Sequence, residues 1–417
     1  MTPSGEVPSP RFFRKIPQLH THGVHLIADR LKPFGTTVFA RISAQAAQKQ
    51  AVNLGQGFPD FGGPEWLLDA LAAAAKAGSQ QYAPSPGIPE LRSALAGRWM
   101  SDTGLAVDAQ TQVTVTTGAT EAMAAAMLGL FNPGDRVVVF EPYYDAYRAA
   151  AAMAGVEPVF VPLHRQSDGT FAFDEAEFRT AAAEAGVRAV LVNTPHNPTG
   201  KVFSREEMRV IAGACLEHGL VGITDEVYER LVFDDAEHVR LATLDGMADR
   251  TLTISSLGKT MSVTGWKIGW AIGPAHLTGG VRSAHQFLTF SVNTPAQRAA
   301  ALAVREGEAY WTSLASDLGK RRDELCGALA AIGFRFATPR SGYFVLADHT
   351  KVSGPLGIAD DVAFCEHLIE HAGVATIPPS AFYDHPELGR PLIRFAFCKT
   401  PGTIEEAVRR LRAFAGR

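Results

Sequence analysis

The chain has 417 residues, enough for two or three domains, and 46% of its residues are hydrophobic and 20% charged. This composition is typical of a globular protein and excludes a wholly disordered chain. A net charge of −4 provides no basic excess for binding nucleic acid, and no apolar stretch approaches the roughly 18 residues of a membrane span. The four cysteines form no CxxC pair, which argues against a zinc site and favours a reducing, cytoplasmic location.

The sequence suggests four segments. Residues 1–24 lack the apolar region of a signal peptide and contain several prolines, so we predict a flexible N-terminal tail. Residues 25–60 are expected to join a smaller domain at the other end of the chain. Residues 61–300 would form a large domain, and residues 301–417 the smaller C-terminal domain.

Helices and short apolar strands are predicted to alternate through the large domain. Pro64 and Gly78 bound the first helix of this region. Runs such as VVVF, AVLV, VGIT and LTIS are apolar throughout, which favours strands covered on both faces of a parallel sheet. The predicted strands are 113–118, 136–140, 158–163, 188–195, 221–226 and 251–256, and further helices are predicted at 121–131, about 144–154 and 204–218.

The last part of the chain predicts a smaller α+β domain. It contains a long helix, then short strands near FRFA, GYFVLAD and LIRFAF, and a terminal helix. One helix over about 281–310 would connect the two domains. The predicted fold is therefore α/β, with a three-layer αβα large domain around a mostly parallel sheet and a smaller α+β domain.

Five predicted strands end in unusual polar strings. These strings are TTGATE, EPYY, NTPHNPTG, DEVY and SSLGK, in chain order. Ligands of open α/β sheets bind beyond the carboxyl ends of the strands. The sequence therefore predicts a ligand site at that edge.

Lys259, Asp225 and Tyr228 have side chains that could act on a carbonyl compound and a charged ring. Burial after an apolar strand would lower the pKa of Lys259 and favour the neutral amine that attacks a carbonyl, although an exposed loop lysine is the simpler interpretation of SLGK alone. A buried Asp225 needs a partner such as a pyridinium N–H, with a helix N-cap as the alternative. Tyr228, three residues further on, would lie on the same face and reach an oxygen of the same ring.

Three other side chains could contact a planar, charged ligand. Asn197 lies in a loop restricted by prolines and a glycine, so its amide could donate to a phenolic oxygen, whereas Asn193 could bond only to backbone. Tyr144 could stack on a ring, with core packing as the alternative. Arg394 interrupts an apolar run, and its guanidinium would pair with a carboxylate from either a ligand or an internal salt bridge.

A predicted strand-to-helix turn could hold a phosphate. Gly118, Ala119 and Thr120 are small enough for backbone N–H groups to approach an anion at a helix N-terminus. Ser256 and Lys267 could contact the same anion. An ordinary capping turn is the alternative.

Taken together, these motifs resemble those of the class I, fold type I aminotransferases, which use pyridoxal 5′-phosphate. The resemblance runs from about Pro33 to the C-terminus and is most similar to the branch of methionine and kynurenine aminotransferases. It implies a preference for hydrophobic, aromatic or sulfur-containing amino acids. The strings that carry it are VNLGQGFPDF, NTPHNPTGKVF, TDEVYE, GKTMSVTGWKIGW and HQFLTFSVNTPAQ.

The resemblance implies a role for each cofactor-binding candidate. Lys259 would form an aldimine with the cofactor and move the substrate proton, while Asp225 would bond the ring nitrogen. Family members are homodimers with shared active sites, so Tyr82 would reach the phosphate in the neighbouring subunit. The other cofactor contacts would be Gly118, Ala119, Thr120, Tyr144, Asn193, Asn197, Tyr228, Ser256 and Lys267.

The resemblance also implies how substrates would bind. Arg394, Asn197 and the Gly57 backbone would hold the substrate carboxylate. Phe290 would line the neighbouring subunit's pocket, and Phe34 occupies a pocket region where some relatives carry tryptophan or tyrosine. An amino group would pass from an L-amino acid to a 2-oxo acid by a ping-pong mechanism. A carbon–sulfur β-lyase on the same scaffold is the main alternative, and a non-enzymatic cofactor-sensing regulator is another.

Overall fold

A computed structural model describes residues 27–35 and 37–416, so the predicted tail, residues 1–24, lies outside the described residues. No helix in these described ranges is long and apolar enough to cross a membrane. The strands are β1 (Val52–Asn53), β2 (Val113–Thr116), β3 (Arg136–Glu141), β4 (Glu157–Pro162), β5 (His164–Arg165), β6 (Phe171–Ala172), β7 (Val187–Asn193), β8 (Val221–Asp225), β9 (Thr251–Ser256), β10 (Gly269–Ile272), β11 (Phe344–Asp348), β12 (Val374–Ala375) and β13 (Leu392–Ala396).

Helices surround these strands, joined by short 3₁₀ turns at Asp29–Leu31, Leu241–Thr243, Thr264–Trp266, Gly354–Leu356 and Pro379–Phe382. The α-helices are α1 (Val38–Lys49), α2 (Glu65–Lys76), α3 (Pro89–Thr103), α4 (Gly118–Leu130), α5 (Asp145–Ala154), α6 (Glu175–Ala182), α7 (Arg205–His218), α8 (Leu257–Thr260), α9 (Ala275–Leu288), α10 (Thr294–Glu306), α11 (Glu308–Ile332), α12 (Thr350–Ser353), α13 (Asp361–His371), α14 (Pro386–Gly389) and α15 (Pro401–Ala415).

A seven-stranded sheet forms the centre of the fold, in the order β2-β10-β9-β8-β7-β3-β4. β10 is antiparallel to both of its neighbours, and the other adjacent pairs are parallel. The strand residues are almost entirely buried because apolar clusters cover both faces. The predicted α/β class with a mostly parallel sheet is thereby confirmed.

The sequence prediction missed β10, which is only four residues long and begins with a glycine. At Gly269 a Cβ atom would lie 2.4 Å from the carbonyl carbon of Gly118, so only glycine fits here against the backbone at the start of α4. The turn before it places Lys267 at φ 56°. The close backbone approach therefore explains why Gly269 begins β10. The same glycine made the apolar pattern of this strand harder to recognise in the sequence.

The single helix expected over about 281–310 is wrong, because three helices occupy this region. α9 ends at Leu288, and Phe290 adopts φ 68°, which a continuing helix does not allow. The Asn293 side chain then caps α10 by accepting a hydrogen bond from the backbone N–H of Ala296 at 2.9 Å. Gly307 separates α10 from α11.

The C-terminal elements pack with an N-terminal segment. β11 and β13 form an antiparallel pair, and β1 pairs in parallel with β12. Ile42, Ala46 and Leu54 are buried in the same apolar cluster as Phe364 and Phe395. The domain boundaries themselves remain a prediction.

Candidate active site

A cavity of ≈ 320 Å³ lies where five strands of the sheet end. Residues that follow β2, β3, β7, β8 and β9 line it, because these strands run in the same direction and end at the same edge of the sheet. Most predicted site residues line this cavity, namely Gly57, Gly118, Ala119, Thr120, Tyr144, Asn193, Asn197, Asp225, Tyr228, Ser256, Lys259, Lys267 and Arg394.

Lys259 lies in the short helix α8, directly after β9. Its Nζ donates a hydrogen bond to the carbonyl oxygen of Gly57 at 3.0 Å. The ammonium also faces the rings of Tyr228 and Tyr343, whose centroids are 5.8 Å and 5.4 Å away. Burial lowers the pKa of Lys259 to about 8, so a useful fraction of the amine is neutral near physiological pH.

Asp225 is the last residue of β8 and is buried. Its Oδ2 accepts a hydrogen bond from the Tyr147 hydroxyl at 2.7 Å, and its Oδ1 accepts one from the Val227 N–H at 3.3 Å. In residues 27–35 and 37–416 no cation forms an ion pair with this carboxylate, and burial raises its pKa to about 6. A protonated ring nitrogen in the cavity would supply the missing charge, so this position fits pyridoxal phosphate.

A relay of hydrogen bonds joins β8 to the carboxylate-binding candidates. The Asn193 Nδ2 donates to the backbone oxygen of Asp225 at 3.0 Å, and the Asn193 Oδ1 accepts from the Asn197 N–H at 2.7 Å. Both hydrogen bonds of the Asn193 side chain are to backbone groups, as the sequence analysis allowed for this residue. The side-chain oxygen of Asn197 in turn accepts from Arg394 Nη1 at 3.1 Å.

Arg394 has only 1% of its surface exposed. Its Nη2 donates to the carbonyl oxygen of Gly55 at 2.9 Å, and its guanidinium lies 4.1 Å from the ring centroid of Phe344. Nε has no hydrogen-bond partner, and no carboxylate of the described chain forms a salt bridge with this arginine. Burial lowers its pKa to about 10, yet it stays charged at neutral pH. A ligand carboxylate is therefore the better explanation of this buried charge than an internal salt bridge.

The start of α4 fits an anion. Gly118 has φ 77°, and a Cβ atom there would lie 3.0 Å from the Nζ of Lys267. The cavity lining here contains the first turn of α4, which has no side-chain cap on its N–H groups. It also contains Lys267 and the hydroxyl-bearing residues Thr120 and Ser256. This set of donors suits the phosphate of the cofactor.

Two tyrosines in the cavity keep their protons at neutral pH. Burial raises the pKa of Tyr144 to about 12 and raises that of Tyr228 well above its ordinary value. Both hydroxyl groups therefore remain hydrogen-bond donors, as the role predicted for Tyr228 toward an anionic ring oxygen requires. Tyr228 also contacts Tyr343 edge-on, with ring centroids 5.1 Å apart.

Three predicted site residues lie outside this cavity. Tyr82 is 82% exposed and Phe290 is 49% exposed, and their rings meet edge-on with centroids 5.3 Å apart. Phe34 is half-buried and does not line the cavity, whereas Phe39 does. The roles of these three residues remain predictions.

Sequence reasoning missed several residues of the site. Tyr147 follows Tyr144 by three positions, so the helical spacing in YYDAY could have indicated that it accompanies Tyr144 toward the site. Tyr343 donates from its hydroxyl to the carbonyl oxygen of Gly57 at 2.7 Å. No local pattern connects residues so far apart in the chain.

Comparison with known proteins identifies the family. Residues 49–411 match the family model described as aminotransferase class I and II. The solved structure of N-succinyldiaminopimelate aminotransferase from Mycobacterium tuberculosis has a TM-score of 0.89 and 48% identity, covering 93% of this chain and 100% of that chain. Methionine aminotransferase from Escherichia coli is 39% identical, covering 92% of this chain and 97% of its own length. Kynurenine–oxoglutarate transaminase from Dictyostelium discoideum is 37% identical, covering 90% and 93% respectively.

The fold and cavity are thus those of a pyridoxal-phosphate enzyme. The chain belongs to the class I and II aminotransferases and is an enzyme that acts on amino acids and 2-oxo acids. The predicted family, cofactor and reaction class are confirmed. The cytoplasmic location remains a prediction.

Proposed function

We propose that this aminotransferase takes its amino group from an L-amino acid with a large uncharged side chain, hydrophobic, aromatic or sulfur-containing, and gives it to a 2-oxo acid by a ping-pong mechanism. The observation that carries this proposal is the set of charges in the cavity. Its cationic lining residues are Lys259, Lys267 and Arg394, and its anionic ones are Asp225 and Asp145.

Four of these charges have a role in the reaction itself. Arg394 would bind the substrate's α-carboxylate, and Lys267 the phosphate of the cofactor. Asp225 would pair with the protonated ring nitrogen. Bound pyridoxal phosphate supplies an electron-withdrawing ring that makes the hydrogen on the substrate's α-carbon acidic.

Lys259 would move the proton. Its lowered pKa provides a neutral Nζ that accepts the α-proton as a general base and later donates it as a general acid. The hydrogen bond to the Gly57 carbonyl at 3.0 Å holds Nζ on the side of the cavity that also contains Arg394. A substrate carboxylate bound at Arg394 would present its α-carbon to this amine.

The remaining charge, Asp145, argues against an acidic substrate side chain. No cavity-lining cation in the described part of the chain is left to pair with a second carboxylate, and Asp145 would repel one. Phe39, Phe58 and Phe344 provide apolar surface instead. Large uncharged side chains therefore fit best, as in the methionine and kynurenine aminotransferase relatives.

N-succinyldiaminopimelate is a second candidate substrate, because a relative named for it is 48% identical over almost the whole chain. This molecule carries carboxylates beyond the one at the reacting carbon. Arg394 can bind only one of them, so the others would need donors beyond the cations that line the cavity in the described part of the chain.

The substrate proposal predicts a clear order of half-reaction efficiencies. With the pyridoxal-phosphate enzyme and no oxo acid, single-turnover spectra should show L-methionine, L-phenylalanine and L-kynurenine reacting on the order of 10²-fold more efficiently than L-aspartate. Asp145→Asn should narrow that ratio, since it removes the repulsion. Faster reaction of L-aspartate or N-succinyldiaminopimelate would overturn the proposal. Release of ammonia and pyruvate from a cysteine conjugate without oxo acid would reveal a β-lyase instead.

We also propose a homodimer with shared active sites. The exposed, mutually packed rings of Tyr82 and Phe290 lie outside their own cavity and carry apolar surface that a second copy would cover. Phe287, three residues before Phe290, is 89% exposed.

Hybrid dimers test this arrangement. Lys259→Ala and Tyr82→Ala chains, each impaired alone, should recover activity when co-expressed, because one site of the mixed dimer would have both an intact lysine and an intact tyrosine. Light scattering should give twice the chain mass. A monomer by scattering, or no recovery in hybrids isolated with two affinity tags, would contradict the proposal.

A further inference from the structure

Residues 379–385 form a segment that packs against Arg394, the arginine proposed to bind the substrate carboxylate. Phe382, which is 1% exposed, places its ring centroid 5.2 Å from the guanidinium of Arg394 and 5.7 Å from the ring of Phe39. Phe382 does not line the cavity. It therefore supports the guanidinium from the side that faces away from substrate.

Hydrogen bonds hold both ends of this segment. At its start, the Ser380 N–H donates to the Asp361 Oδ2 at 2.7 Å. In its middle, the Phe382 carbonyl accepts from the Tyr143 N–H at 2.8 Å. At its end, the Asp384 N–H donates to the Glu141 Oε2 at 2.5 Å.

Glu141 is the residue that the reaction leaves without a role. It is the last residue of β3 and is fully buried, and its Oε1 contacts the Nδ1 of His385. Within the described residues, His385 is its one ion-pair partner. A buried carboxylate is costly unless it is paired and hydrogen-bonded, so this pair fixes where the 379–385 segment lies.

We propose that Glu141 and His385 are positioning residues, which hold Phe382 against Arg394 and so orient its guanidinium for the substrate's α-carboxylate. The proposal rests on the carboxylate-binding function proposed for Arg394. Two-point binding of a carboxylate requires a fixed guanidinium plane, and a shift of about 1 Å can cost as much as 10²-fold in rate.

The proposal implies a pH dependence of carboxylate binding. His385 faces Glu141 on β3, its neighbour Asp384 and Glu387 on α14, while Arg148 on α5 neutralises part of the Asp384 charge at 3.4 Å. The Glu141 hydrogen bond raises the pKa of His385 above its ordinary value. The ion pair is therefore complete below that raised pKa and is lost as the pH rises through it.

The experiment measures equilibrium binding of 3-phenylpropanoate, which has a carboxylate but no amino group, to the pyridoxal-phosphate enzyme. Titrations from about pH 6 to about pH 9 span the ionisation of a histidine. For the native enzyme the Kd should rise with pH. His385→Gln should weaken binding about tenfold at the acidic end and flatten the profile, whereas His385→Lys, which keeps a cation, should bind well throughout.

Two controls isolate the positioning role. His164→Gln removes a surface histidine–glutamate pair, with Glu177 at 3.0 Å, and should leave the Kd and its profile unchanged. Binding of 3-phenylpropan-1-ol, which lacks the carboxylate, should be the same in the native and His385→Gln enzymes. His385 is half-exposed, so its replacement leaves the core intact.

The outcomes separate this inference from the proposed function. If Arg394→Gln leaves the Kd of 3-phenylpropanoate unchanged, the carboxylate role of Arg394 is wrong, and the proposed function loses its substrate anchor. If Arg394→Gln abolishes binding while His385→Gln keeps the native Kd and pH profile, only the positioning proposal is overturned.

Discussion

Lys259→Ala is expected to lower the rate of the half-reaction with L-methionine by roughly 10⁴-fold or more. The variant loses both the amine that links to the cofactor and the group that moves the α-proton. Among the described residues, Lys267 is the other lysine that lines the cavity, and it cannot replace Lys259 because it faces Gly118 at the phosphate end. The cavity should still bind pyridoxal phosphate through the remaining contacts, although without a covalent link.

Borohydride reduction followed by peptide mass spectrometry measures the link directly. The native enzyme should carry the reduced cofactor on the peptide that contains Lys259, and the variant should carry none. Lys320→Ala is a suitable control, since Lys320 is exposed and pairs only with Asp317 among the described residues. A variant that turned over at the native rate, or a label on another lysine, would refute the assignment of Lys259.

The residues that sequence analysis placed in the cavity share a local signal. Asp225 is the last residue of one apolar strand and Lys259 lies three residues after another, and a charged residue at these places is unusual enough to mark a candidate without the rest of the fold. The common direction of the strands then brings these ends together, because parallel strands end at one edge of the sheet. Local chemistry, sheet topology and the family resemblance together therefore predicted residues that the structure brings into one cavity.

The features that escaped prediction depend on contacts between distant parts of the chain. The Tyr343 hydroxyl reaches Gly57, and Glu141 meets His385, and neither pairing leaves a trace in the neighbouring sequence. The break after α9 is different, because it does leave a local signal: residues 289–293 are weak helix formers, and Asn293 and Pro295 mark the start of α10. Tyr82 and Phe290 illustrate a further limit, since their proposed roles depend on a second copy of the chain.

Asp225→Asn is expected to slow transamination by roughly 10³-fold while making the cofactor-free protein more stable. Burial raises the pKa of Asp225 from its ordinary 3.8 to about 6. A carboxyl group whose pKa is raised on folding stabilises the protein below pH 3.8, and this contribution is lost as the pH rises through about 6. At neutral pH the cofactor-free protein therefore carries an unpaired buried charge, which costs roughly 3 kcal/mol.

Asparagine removes that cost but also removes the charge that would hold a proton on the ring nitrogen. In thermal melts at about pH 7.5, the cofactor-free variant should have a higher melting temperature than the cofactor-free native protein. Adding pyridoxal phosphate should raise the melting temperature of the variant by less than it raises that of the native protein. Tyr147→Phe is the matched comparison: it removes only the 2.7 Å hydrogen bond to Oδ2 and should reduce the rate by a smaller factor. Native rates and native cofactor stabilisation in Asp225→Asn would show that this carboxylate does not pair with the ring, and the buried charge would need another partner.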